Sequence, residues 1–336
     1  MSEPTLRVRT CSRLAFGLID MNGEIGRVEG GLGLALEDPY LQLRARRAKN
    51  VTIGGRVPIS DGTRAKLEAL CARVREQYPV VEGVDLEFDQ VLPANSGLGS
   101  GTQRGMAVAF ALSMLYDLKL SREQLAGFAQ RGGTSGIGCA AFDMGGFLCD
   151  GGHKFRVPGG KMGFAPSSGS AGIAPPPILF HSPLPANWCV ILALPKGRIV
   201  AGEEEQALFR EKCPVPAAEA AQAARLALLK VLPAILEADL EAFGAGIEAM
   251  QRLGLKRIQI ERQNQVIHDT LAEMRRLGLQ GVGMSSWGPT LFGFSEAGPD
   301  VDRATAAALE AFGAQRDGIT VFVTKPSERG TTWNWE

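Results

Sequence analysis

The chain has 336 residues, which is enough for one large domain or for two domains of ordinary size. Its 36 basic and 36 acidic residues give a formal net charge of zero, so the charge balance favours binding neither to nucleic acid nor to an anionic membrane. The start of the chain lacks the apolar core and cleavage site of a signal peptide, and no apolar stretch is long enough to span a bilayer. We therefore expect a cytoplasmic protein.

The first part of the chain is rich in predicted strands. A glycine-rich loop is predicted between the second and third of them, over residues 22–33. The last strand alternates apolar and polar residues, the period of a half-buried strand. The predicted elements are strands at 6–10, 13–20, 40–46 and 50–59, an amphipathic helix at 63–78 and a strand at 84–89.

The most informative segment follows that strand and has the sequence PANSGLGSGTQ, from Pro93 to Gln103. Apolar residues after it recur with helical spacing, so the order is strand, glycine-rich loop, helix. Glycines without a Cβ let backbone amides approach an anion closely, and the helix N-terminus adds unpaired N–H donors. The segment therefore predicts a phosphate-binding loop, in which the hydroxyls of Ser100 and Thr102 can cap the helix or bind phosphate or a metal ion.

Two better-known nucleotide-binding loops do not fit this segment. The loop of the P-loop ATPases ends in Gly-Lys-Ser/Thr, and no lysine lies here. The dinucleotide fingerprint requires a third glycine at another spacing and a following βαβ pattern. A tight turn capped by Ser100, with no ligand, is the structural alternative.

The composition changes in the middle of the chain. A helix is predicted at 122–131, and residues 159–185 are dense in Gly, Ser and Pro, which predicts a mobile loop or a connection between domains. Beyond it the predicted order suits a split βαβ sandwich with an antiparallel sheet. Its elements are a strand at 188–194, helices at 202–212, 217–236, 240–250 and 259–277, strands at 281–285 and 290–294, a helix at 301–312 and a strand at 319–324.

Cysteine and histidine usage predicts neither disulfides nor a zinc site. The six cysteines are scattered and include no C-x-x-C pair, which is typical of reduced, mostly buried thiols. The three histidines, His153, His181 and His268, are far apart, which argues against a histidine-rich zinc site.

Three separated segments together resemble the GHMP kinase superfamily. The loop resembles its phosphate-binding motif, P-x-x-x-G-L-G-S-S-x-A, while Ser12–Asp20 and Gly281–Gly293 lie where the superfamily has its first and third motifs. The resemblance covers nearly the whole chain and implies an α+β fold with two domains. These are a ribosomal-protein-S5-like N-terminal domain at residues 1–180 and a ferredoxin-like C-terminal domain at residues 181–336.

Further segments resemble one branch, the β-ribofuranosylaminobenzene 5′-phosphate synthases. These segments begin at Ser12, Ser135 and Leu194 and read SRLAFGLIDMNGEIGRVEGGLGLAL, SGIGCAAFDMGGFLCDGGH and LPKGR. The resemblance implies a phosphoribosyltransferase of methanopterin biosynthesis that joins phosphoribosyl pyrophosphate (PRPP) to 4-aminobenzoate or 4-hydroxybenzoate. Carbon dioxide and pyrophosphate leave, Mg²⁺ is the expected cofactor, and a homodimer is expected.

Two alternatives remain open at this point. An ATP-dependent small-molecule kinase of the same superfamily is one, although many such kinases carry a basic aspartate where this chain has Gly138. A non-catalytic sensor that keeps the fold and binds a nucleotide is the other.

The resemblance and the glycine-rich settings nominate four catalytic residues. Arg13 could hold a phosphate or a carboxylate through two N–H groups, or it could form a surface ion pair. Asp20 could ligate Mg²⁺ or accept a hydrogen bond from the ring substituent, or it could be a turn residue. Asp150 and His153, in the sequence CDGGH, could act as acid, base or metal ligands, and the alternative for His153 is a structural role.

Phosphate and substrate binding is assigned mainly to the loop. Lys196 and Arg198 suit the ribose 5-phosphate, or they belong to a solvated basic loop. Ser285 and Ser286 could shape the floor of the site, where Trp287 could stack on an aryl ring or simply pack. Ser100 is the candidate for metal contact, and Arg27 and Glu29 are weaker candidates. The loop residues assigned to the diphosphate are Ser96, Gly97, Leu98, Gly99, Ser100, Gly101, Thr102 and Gln103.

Overall fold

The computed structural model describes residues 4–166, 169–197, 203–316 and 318–336, which form two β-sheets with helices packed against them. The strands are β1 (Leu6–Asp20), β2 (Arg27–Arg47), β3 (Thr52–Gly55), β4 (Val84–Gln90), β5 (Phe147–Asp150), β6 (His153–Lys154), β7 (Ile178–Ser182), β8 (Cys189–Pro195), β9 (Gln280–Met284), β10 (Leu291–Ser295), β11 (Ile319–Thr324) and β12 (Thr332–Trp335). The helices are α1 (Asp61–Gln77), α2 (Ser100–Leu115), α3 (Arg122–Ala129), α4 (Ile137–Met144), α5 (Glu203–Lys212), α6 (Ala217–Leu226), α7 (Leu232–Leu236), α8 (Leu240–Gln251), α9 (Gly254–Glu261), α10 (Gln265–Arg276) and α11 (Pro299–Ala314).

The first sheet is built on the antiparallel pair β1 and β2. Its strand order is β12-β1-β2-β4-β3, with β5 and β6 also pairing with β2 and with β7 pairing with β5. Apolar side chains of this sheet, such as Val8, Leu43 and Phe88, are fully buried against α1, α2 and α3. The buried middle of α2 carries Ala and Val next to Met106 and Leu112, because a helix packed on several sides has no wide polar face.

The second sheet is antiparallel, with the strand order β11-β8-β10-β9. Strand side chains alternate between its faces, so Ile191 packs with α10 and α11 while its neighbour Leu192 packs with α8. The combination of two sheets with helices confirms the predicted α+β class.

The two sheets share one aromatic core. The ring of Phe16 on β1 lies 5.8 Å from Phe147 on β5 and 5.0 Å from Phe292 on β10. Phe243 on α8 packs against both Phe16 and Phe294. β1 therefore forms part of both halves, and the segments that border it are brought together.

The predicted loop at 22–33 is largely wrong, because β2 already begins at Arg27. Its glycines serve close packing within a strand and not a flexible turn. A Cβ on Gly33 would lie 2.2 Å from Cγ2 of Ile137, so glycine lets α4 approach β2. The two strands predicted at 6–10 and 13–20 are one strand, with an irregularity of register between Thr10 and Ser12.

Several other boundaries differ from the sequence predictions. The region 159–185 contains β7, which pairs with β5, so it is not a loop throughout. The helix predicted at 259–277 is two helices, because Asn264 caps α10 by accepting from the Ile267 amide. A π-helical turn at Ala227–Val231 interrupts the helix predicted at 217–236.

The proposed division of the chain at residues 180 and 181 falls inside β7, and β12 returns the final residues to the first sheet. This division into domains stays a prediction. Five short elements, α4, β5, β6, β7 and β12, were not predicted at all, because none is long enough to show a clear hydrophobic period.

Two simpler predictions can be compared with the described residues. All six cysteines are free, as predicted, and five of them are buried. Among the helices of the described ranges, none combines the length and apolar character needed to cross a membrane.

Candidate active site

The three predicted motifs meet at the N-terminus of α2. The backbone amide of Arg13 on β1 donates to the Leu98 carbonyl at 3.1 Å, and its Nη1 donates to the Gly97 carbonyl at 2.6 Å. The Ser285 hydroxyl donates to the same Gly97 carbonyl at 2.7 Å and accepts from the Ala15 amide at 3.0 Å. The loop, the first motif and the third motif are thus one hydrogen-bonded unit.

Backbone geometry requires glycine at two positions of the loop. Gly97 and Gly99 have φ values of 86° and 82°, a region that strains residues with a side chain. A Cβ on Gly97 would lie 2.4 Å from the Ser285 carbonyl oxygen, so the loop could not rest against the third motif. Gly99 is the N-cap of α2, and no side chain caps this end, so the interpretation in which Ser100 caps a tight turn is wrong. The uncapped first turn of α2 is a site at which backbone N–H groups can bind an anion.

Four cations lie at this helix end or along the cavity beside it, and none of them forms a salt bridge to a residue in the described ranges. They are Arg13, Arg104, Arg131 and Lys256. Burial lowers the pKa of each side chain, to about 10 for Arg13 and to about 7 for Lys256. The neighbouring Arg131 lowers the pKa of Arg13 further, and Arg13 in turn lowers that of Lys256. Glu205 is the carboxylate whose charge acts on Arg131, and buried positive charges that exceed the neighbouring negative charge destabilise the protein unless an anion binds between them.

A cavity of about 110 Å³ opens beside these cations. Arg13, Ala15 and Gly17 of β1 form one wall, and Thr102 of α2 lies beside them. The other lining residues come from β1, from the segment that leads into α4, from α5, from α9 and from the third motif: Leu18, Gly132, Thr134, Ser135, Gly138, Glu205, Phe209, Lys256, Gln259, Ser286 and Trp287. The cavity therefore combines an anion-binding end with aromatic and polar walls. A larger groove of about 570 Å³ lies near Arg9 and Arg329, away from all the predicted site residues.

Glu205 is a carboxylate that lines this cavity. Burial raises the pKa of Glu205 to about 7, while a hydrogen bond from Trp287 and the charge of Arg131 oppose that shift. A carboxyl group with this pKa can give or take a proton near neutral pH. Glu205 was not among the residues selected from the sequence.

Gly138 lies at the cavity wall where the kinase base is expected from the family resemblance. A Cβ at this position would lie 3.2 Å from Cγ2 of Thr102, closer than almost all real contacts of that kind. The Gly138 carbonyl accepts a hydrogen bond from Nε2 of Gln103 at 2.9 Å. Glycine at 138 thus brings the α4 segment against α2 and supplies no acid or base.

Asp150 holds the segment that leads into α4 through hydrogen bonds. Its Oδ2 accepts from the Gly136 amide at 2.9 Å and from the Ser135 hydroxyl at 3.5 Å, while Oδ1 accepts from the Gly152 amide at 3.0 Å. Burial raises the pKa of Asp150 to about 6, and the two backbone hydrogen bonds limit this shift. Asp150 does not line the cavity, but it positions Ser135, which does.

His153 belongs to a buried network with Glu29 and Lys161. Nδ1 of His153 lies 2.6 Å from Oε2 of Glu29, and Lys161 Nζ donates to Oε1 of the same carboxylate. Nε2 of His153 lies 3.0 Å from the Gly132 carbonyl, and Lys161 also contacts Thr134. Since Gly132 and Thr134 line the cavity, this network holds its wall. His153 itself is 6% exposed and lies outside the residues that line the cavity.

The remaining predicted residues occupy three kinds of position. Ser96 and Ser285 are buried and brace the backbone: the Ser96 carbonyl accepts from the Thr290 amide, and its hydroxyl donates to Pro93. Asp20 accepts from the amides of Asn22 and Gly23 in the β1–β2 turn, outside the cavity. Ser286 lines the cavity, and its carbonyl accepts from Lys256 Nζ at 2.5 Å.

Only one residue of the basic pair that follows β8 is among the described residues. Lys196 is exposed and is not a lining residue of the cavity, and Arg198 lies outside the described residues. Arg27 donates to the carbonyls of Gly151 and Gly152, which fixes the turn between β5 and β6. The phosphate-binding roles of Lys196 and Arg198 stay predictions.

Sequence reasoning missed three lining residues of the cavity, Glu205, Lys256 and Gln259, and it also missed Arg131, which lies beside the first turn of α2. Arg131 lies close enough to α2 that a Cβ on Gly101 would lie 2.6 Å from its Nη2. In the sequence, Arg131 directly precedes the glycines of the RGGTSG segment, and this position next to a glycine-rich segment could have identified it as a candidate site residue. Lys256 and Gln259 are three residues apart, but this spacing has meaning only once α9 is known to begin at Gly254.

The expected Mg²⁺ can be compared with the oxygen donors near the cavity. The described residues include no group of three His, Cys, Asp or Glu side chains that could hold a metal by themselves. Mg²⁺ bound to substrate phosphates needs only one or two protein carboxylates and retains waters. Glu205 and the Thr102 hydroxyl border the cavity, and Ser100 begins α2, so these residues fit an ion bound mainly by a diphosphate. The Ser100 contact stays a prediction.

Comparison with solved structures supports the fold assignment. A homoserine kinase from Cytophaga hutchinsonii superposes with a TM-score of 0.70 at 18% identity, covering 99% of this chain and 98% of that one. A mevalonate diphosphate decarboxylase from Enterococcus faecalis gives a TM-score of 0.61 at 15% identity, with full coverage of both chains. At these identities the likeness shows the fold alone.

Sequence comparison identifies the family. The chain matches the GHMP kinases N terminal domain over residues 65–151 and the GHMP kinases C terminal domain over residues 231–314. It is 38% identical to the β-ribofuranosylphenol 5′-phosphate synthase of Methanocaldococcus jannaschii, over 88% of this chain and 92% of that protein. It is also 38% identical to the synthase of the same name from Archaeoglobus fulgidus, over 97% of this chain and 98% of that protein.

Fold and motifs together thus define a protein of the GHMP kinase superfamily, whose glycine-rich loop leads into the uncapped start of α2. Within that superfamily the chain belongs to the β-ribofuranosylphenol 5′-phosphate synthase family, the branch that its sequence resembles.

Proposed function

We propose that this protein condenses PRPP with 4-hydroxybenzoate or 4-aminobenzoate, releasing pyrophosphate and carbon dioxide and forming a β-ribofuranosyl-arene 5′-phosphate of methanopterin biosynthesis. The observation that carries the proposal is the pair of buried arginines, Arg13 and Arg131, which lie at the uncapped start of α2 and form no salt bridge within the described ranges. A diphosphate supplies the negative charge that this group requires. The phenol named in the family relatives favours 4-hydroxybenzoate as the acceptor.

The loop and its cations hold the diphosphate in this proposal. The amides of the first turn of α2 and the Thr102 hydroxyl bind its oxygens, and Arg13 and Arg131 neutralise its charge. Because these donors are fixed before the substrate arrives, they stabilise the charge that grows as the C1–oxygen bond breaks. Mg²⁺ held by Glu205 and the loop hydroxyls would supply further Lewis-acid stabilisation of that charge.

The reaction then proceeds at C1 of the ribose. The bond from C1 to the diphosphate oxygen breaks, and its electron pair leaves with the diphosphate. The ring carbon that bears the carboxylate forms the new bond to C1. The hydroxyl or amino group para to that carbon donates electron density to the ring as the bond forms. The bond to the carboxylate breaks next, carbon dioxide leaves, and the electron pair restores the aromatic ring.

Water must be kept from the ribose during this sequence, because an exposed oxocarbenium-like carbon would hydrolyse. Phe209 and Trp287 form an aromatic wall of the cavity, with their ring centroids 6.3 Å apart. The buried network of Glu29, His153 and Lys161 holds the opposite wall at Gly132 and Thr134. These contacts support a site that admits a flat ring and excludes solvent.

The alternative of an ATP-dependent kinase is less well supported by the residues. Gly138 supplies no base for an acceptor hydroxyl, and its carbonyl is bound to Gln103. The likeness to solved kinases is at 11% to 18% identity and shows the fold. We therefore expect no phosphoryl transfer from ATP.

The proposal is tested by incubating the protein with PRPP, Mg²⁺ and carboxyl-labelled 4-hydroxybenzoate or 4-aminobenzoate. We expect labelled carbon dioxide and pyrophosphate in equal amounts, with no requirement for ATP. Arg131→Met should lower kcat/KM for PRPP by about 100-fold or more, since it removes one charge-assisted contact in the transition state. Arg122→Met is the matched control, because Arg122 is a half-buried arginine of α3 that does not line the cavity. ATP consumption with another acceptor, and no labelled carbon dioxide, would establish the kinase instead.

A further inference from the structure

Helix α9 presents two buried polar side chains to the cavity. Lys256 and Gln259 lie three residues apart, on the same face of the helix, and are 4% and 7% exposed. Both line the cavity. Arg257, between them, is turned away and forms ion pairs with Glu219 and Glu261 at 3.4 and 3.3 Å.

These two side chains retain unused hydrogen-bonding capacity. The neutral Lys256 amine has two donors and a lone pair, and one of the donors is used by the Ser286 carbonyl. Gln259 forms no hydrogen bond with any residue in the described ranges, although its amide has two donors and an acceptor oxygen. An amide and an amine that face one cavity and keep free hydrogen-bonding capacity can together bind a polar group of a ligand there.

β1 fixes where this pair lies relative to the phosphate loop. Arg13 packs on Gly99 at the loop end, whereas Gly17 lies against Lys256, with an ideal Cβ 3.8 Å from the lysine Cβ. Four residues of strand separate the two points, a span of about 13 Å. Helix α9 therefore meets β1 beyond the point where Arg13 contacts the loop, and the Lys256 side chain reaches back from there to the Ser286 carbonyl.

The aromatic wall lies beside the α9 pair. Trp287 and Phe209 both line the cavity, and the Trp287 carbonyl accepts from Gln263 at the end of α9. A flat aromatic ring between these side chains would point one substituent toward the ribose and the opposite substituent toward α9.

We propose that Lys256 and Gln259 bind the substituent of the aryl acid that lies opposite its carboxyl group, and that Lys256 takes the proton of that group when it is a hydroxyl. This assignment rests on the proposed function. The attacking carbon bears the carboxylate and must face C1 of the ribose at the α2 end, so the para substituent faces the α9 end.

The proton transfer completes the reaction in a balanced way. The hydroxyl proton passes to the neutral Lys256 amine as the ring carbon bonds to C1, and the ring oxygen becomes a carbonyl. When carbon dioxide leaves, its electron pair restores the ring and the oxygen takes the proton back from Lys256. Gln259 donates to the oxygen throughout. A para amino group needs no such transfer, since its lone pair alone forms the intermediate.

The assignment is tested by binding, without turnover. The ligands are 4-hydroxybenzoate and benzoate, which differ only in the para hydroxyl, and the measurement is calorimetry with pyrophosphate present. The wild type should bind 4-hydroxybenzoate at least about 10-fold more tightly than benzoate. Lys256→Met and Gln259→Leu should each reduce that ratio to below about 3, while Arg257→Met leaves it unchanged.

Three results would overturn the assignment. One is an unchanged ratio in both variants, and another is an equal loss of affinity for both ligands, which would place the carboxylate at α9. The third is a wild type that does not distinguish the ligands. Because no turnover is needed, these results stand apart from the labelled carbon dioxide assay. A circular dichroism melt of each variant shows that it is folded.

Discussion

At the residue scale, the site is governed by positive charge that the protein does not neutralise. Arg13, Arg131 and Lys256 are buried near one another, and the lowered pKa of Lys256, about 7, reflects burial and the charge of Arg13. By contrast, the buried Glu29 carboxylate is shared by His153 and Lys161. The paired charges of Glu29, His153 and Lys161 thus lie behind the cavity wall, whereas Arg13 and Lys256, which form no salt bridge within the described ranges, face the cavity.

The pH dependence of stability reports on Lys256. Its pKa is lowered on folding from about 10.4 to about 7, so the unfolded state binds more protons between these values and stability rises with pH there. Relative to Lys256→Met, the wild type should therefore gain stability between pH 6.5 and pH 9.5, by at least about 1 kcal/mol, the equivalent of roughly one pKa unit. Arg13 on β1 and Glu205 on α5 also face this region, and they are present in both proteins.

Urea unfolding without diphosphate at the two pH values measures this difference. A constant difference between the wild type and Lys256→Met would show that Lys256 keeps its ordinary pKa in the folded protein.

At the element scale, the start of α2 depends on its fit against two other segments. β1 and the Ser285–Thr290 segment bind the loop through Arg13, Ser285 and Thr290. The loop can adopt this geometry because Gly97 and Gly99 have positive φ and carry no Cβ. The amides of α2 are thereby fixed in direction before any ligand binds.

Gly97→Ala should disrupt that fit. The new Cβ would meet the Ser285 carbonyl, and φ would remain positive, so we expect a loss of about 1–3 kcal/mol in stability. Pyrophosphate affinity should fall at least about 10-fold. Gly62→Ala in α1 is the matched control: its Cβ would meet nothing within 4 Å, so it should be neutral or slightly stabilising. Equal pyrophosphate affinity in wild type and Gly97→Ala would remove the loop from the binding site.

At the scale of the whole molecule, the cavity is made by both sheets and their helices. β1 and α2 belong to the first sheet and its layer, whereas α9 and the Ser286–Trp287 segment belong to the second. Phe16 and Phe292 join the two sheets beneath the site. A ligand that bridges the cavity therefore stabilises the packing of one half on the other.

Pyrophosphate should accordingly raise the stability of the whole chain. At 100 times its dissociation constant we expect a gain of about 2.7 kcal/mol, because it binds only the folded state. Added salt should weaken the effect, since the contacts are ionic. Thermal unfolding with and without pyrophosphate measures this, and Arg13→Met should lose most of the gain while Arg122→Met keeps it. A gain that persists in Arg13→Met would place the anion elsewhere. The predicted homodimer stays a proposal, which the mass in solution tests.

Much of this architecture is predictable from local patterns. The strand, loop and helix order around Pro93–Gln103 follows from hydrophobic period and glycine content, and the long strands and helices of the second half follow in the same way. Short elements were missed because α4 and β5 show no full period. The glycines of β2 were misplaced in a loop, because local sequence cannot distinguish a turn from a close approach by another element.

The sequence alone determined the family and the fold class, because motifs and hydrophobic periods are local properties of the chain. It also determined that a glycine-rich loop would lead into a helix, while the binding of an anion there stays a proposal. Only the tertiary structure decided which charges lie beside that loop and along the cavity, since Arg131, just after α3, and Lys256, on α9, are distant from the loop in the chain. It also showed that Asp150 and His153 lie behind the cavity wall, because burial and hydrogen-bond partners are set by packing between elements and not by neighbours in sequence.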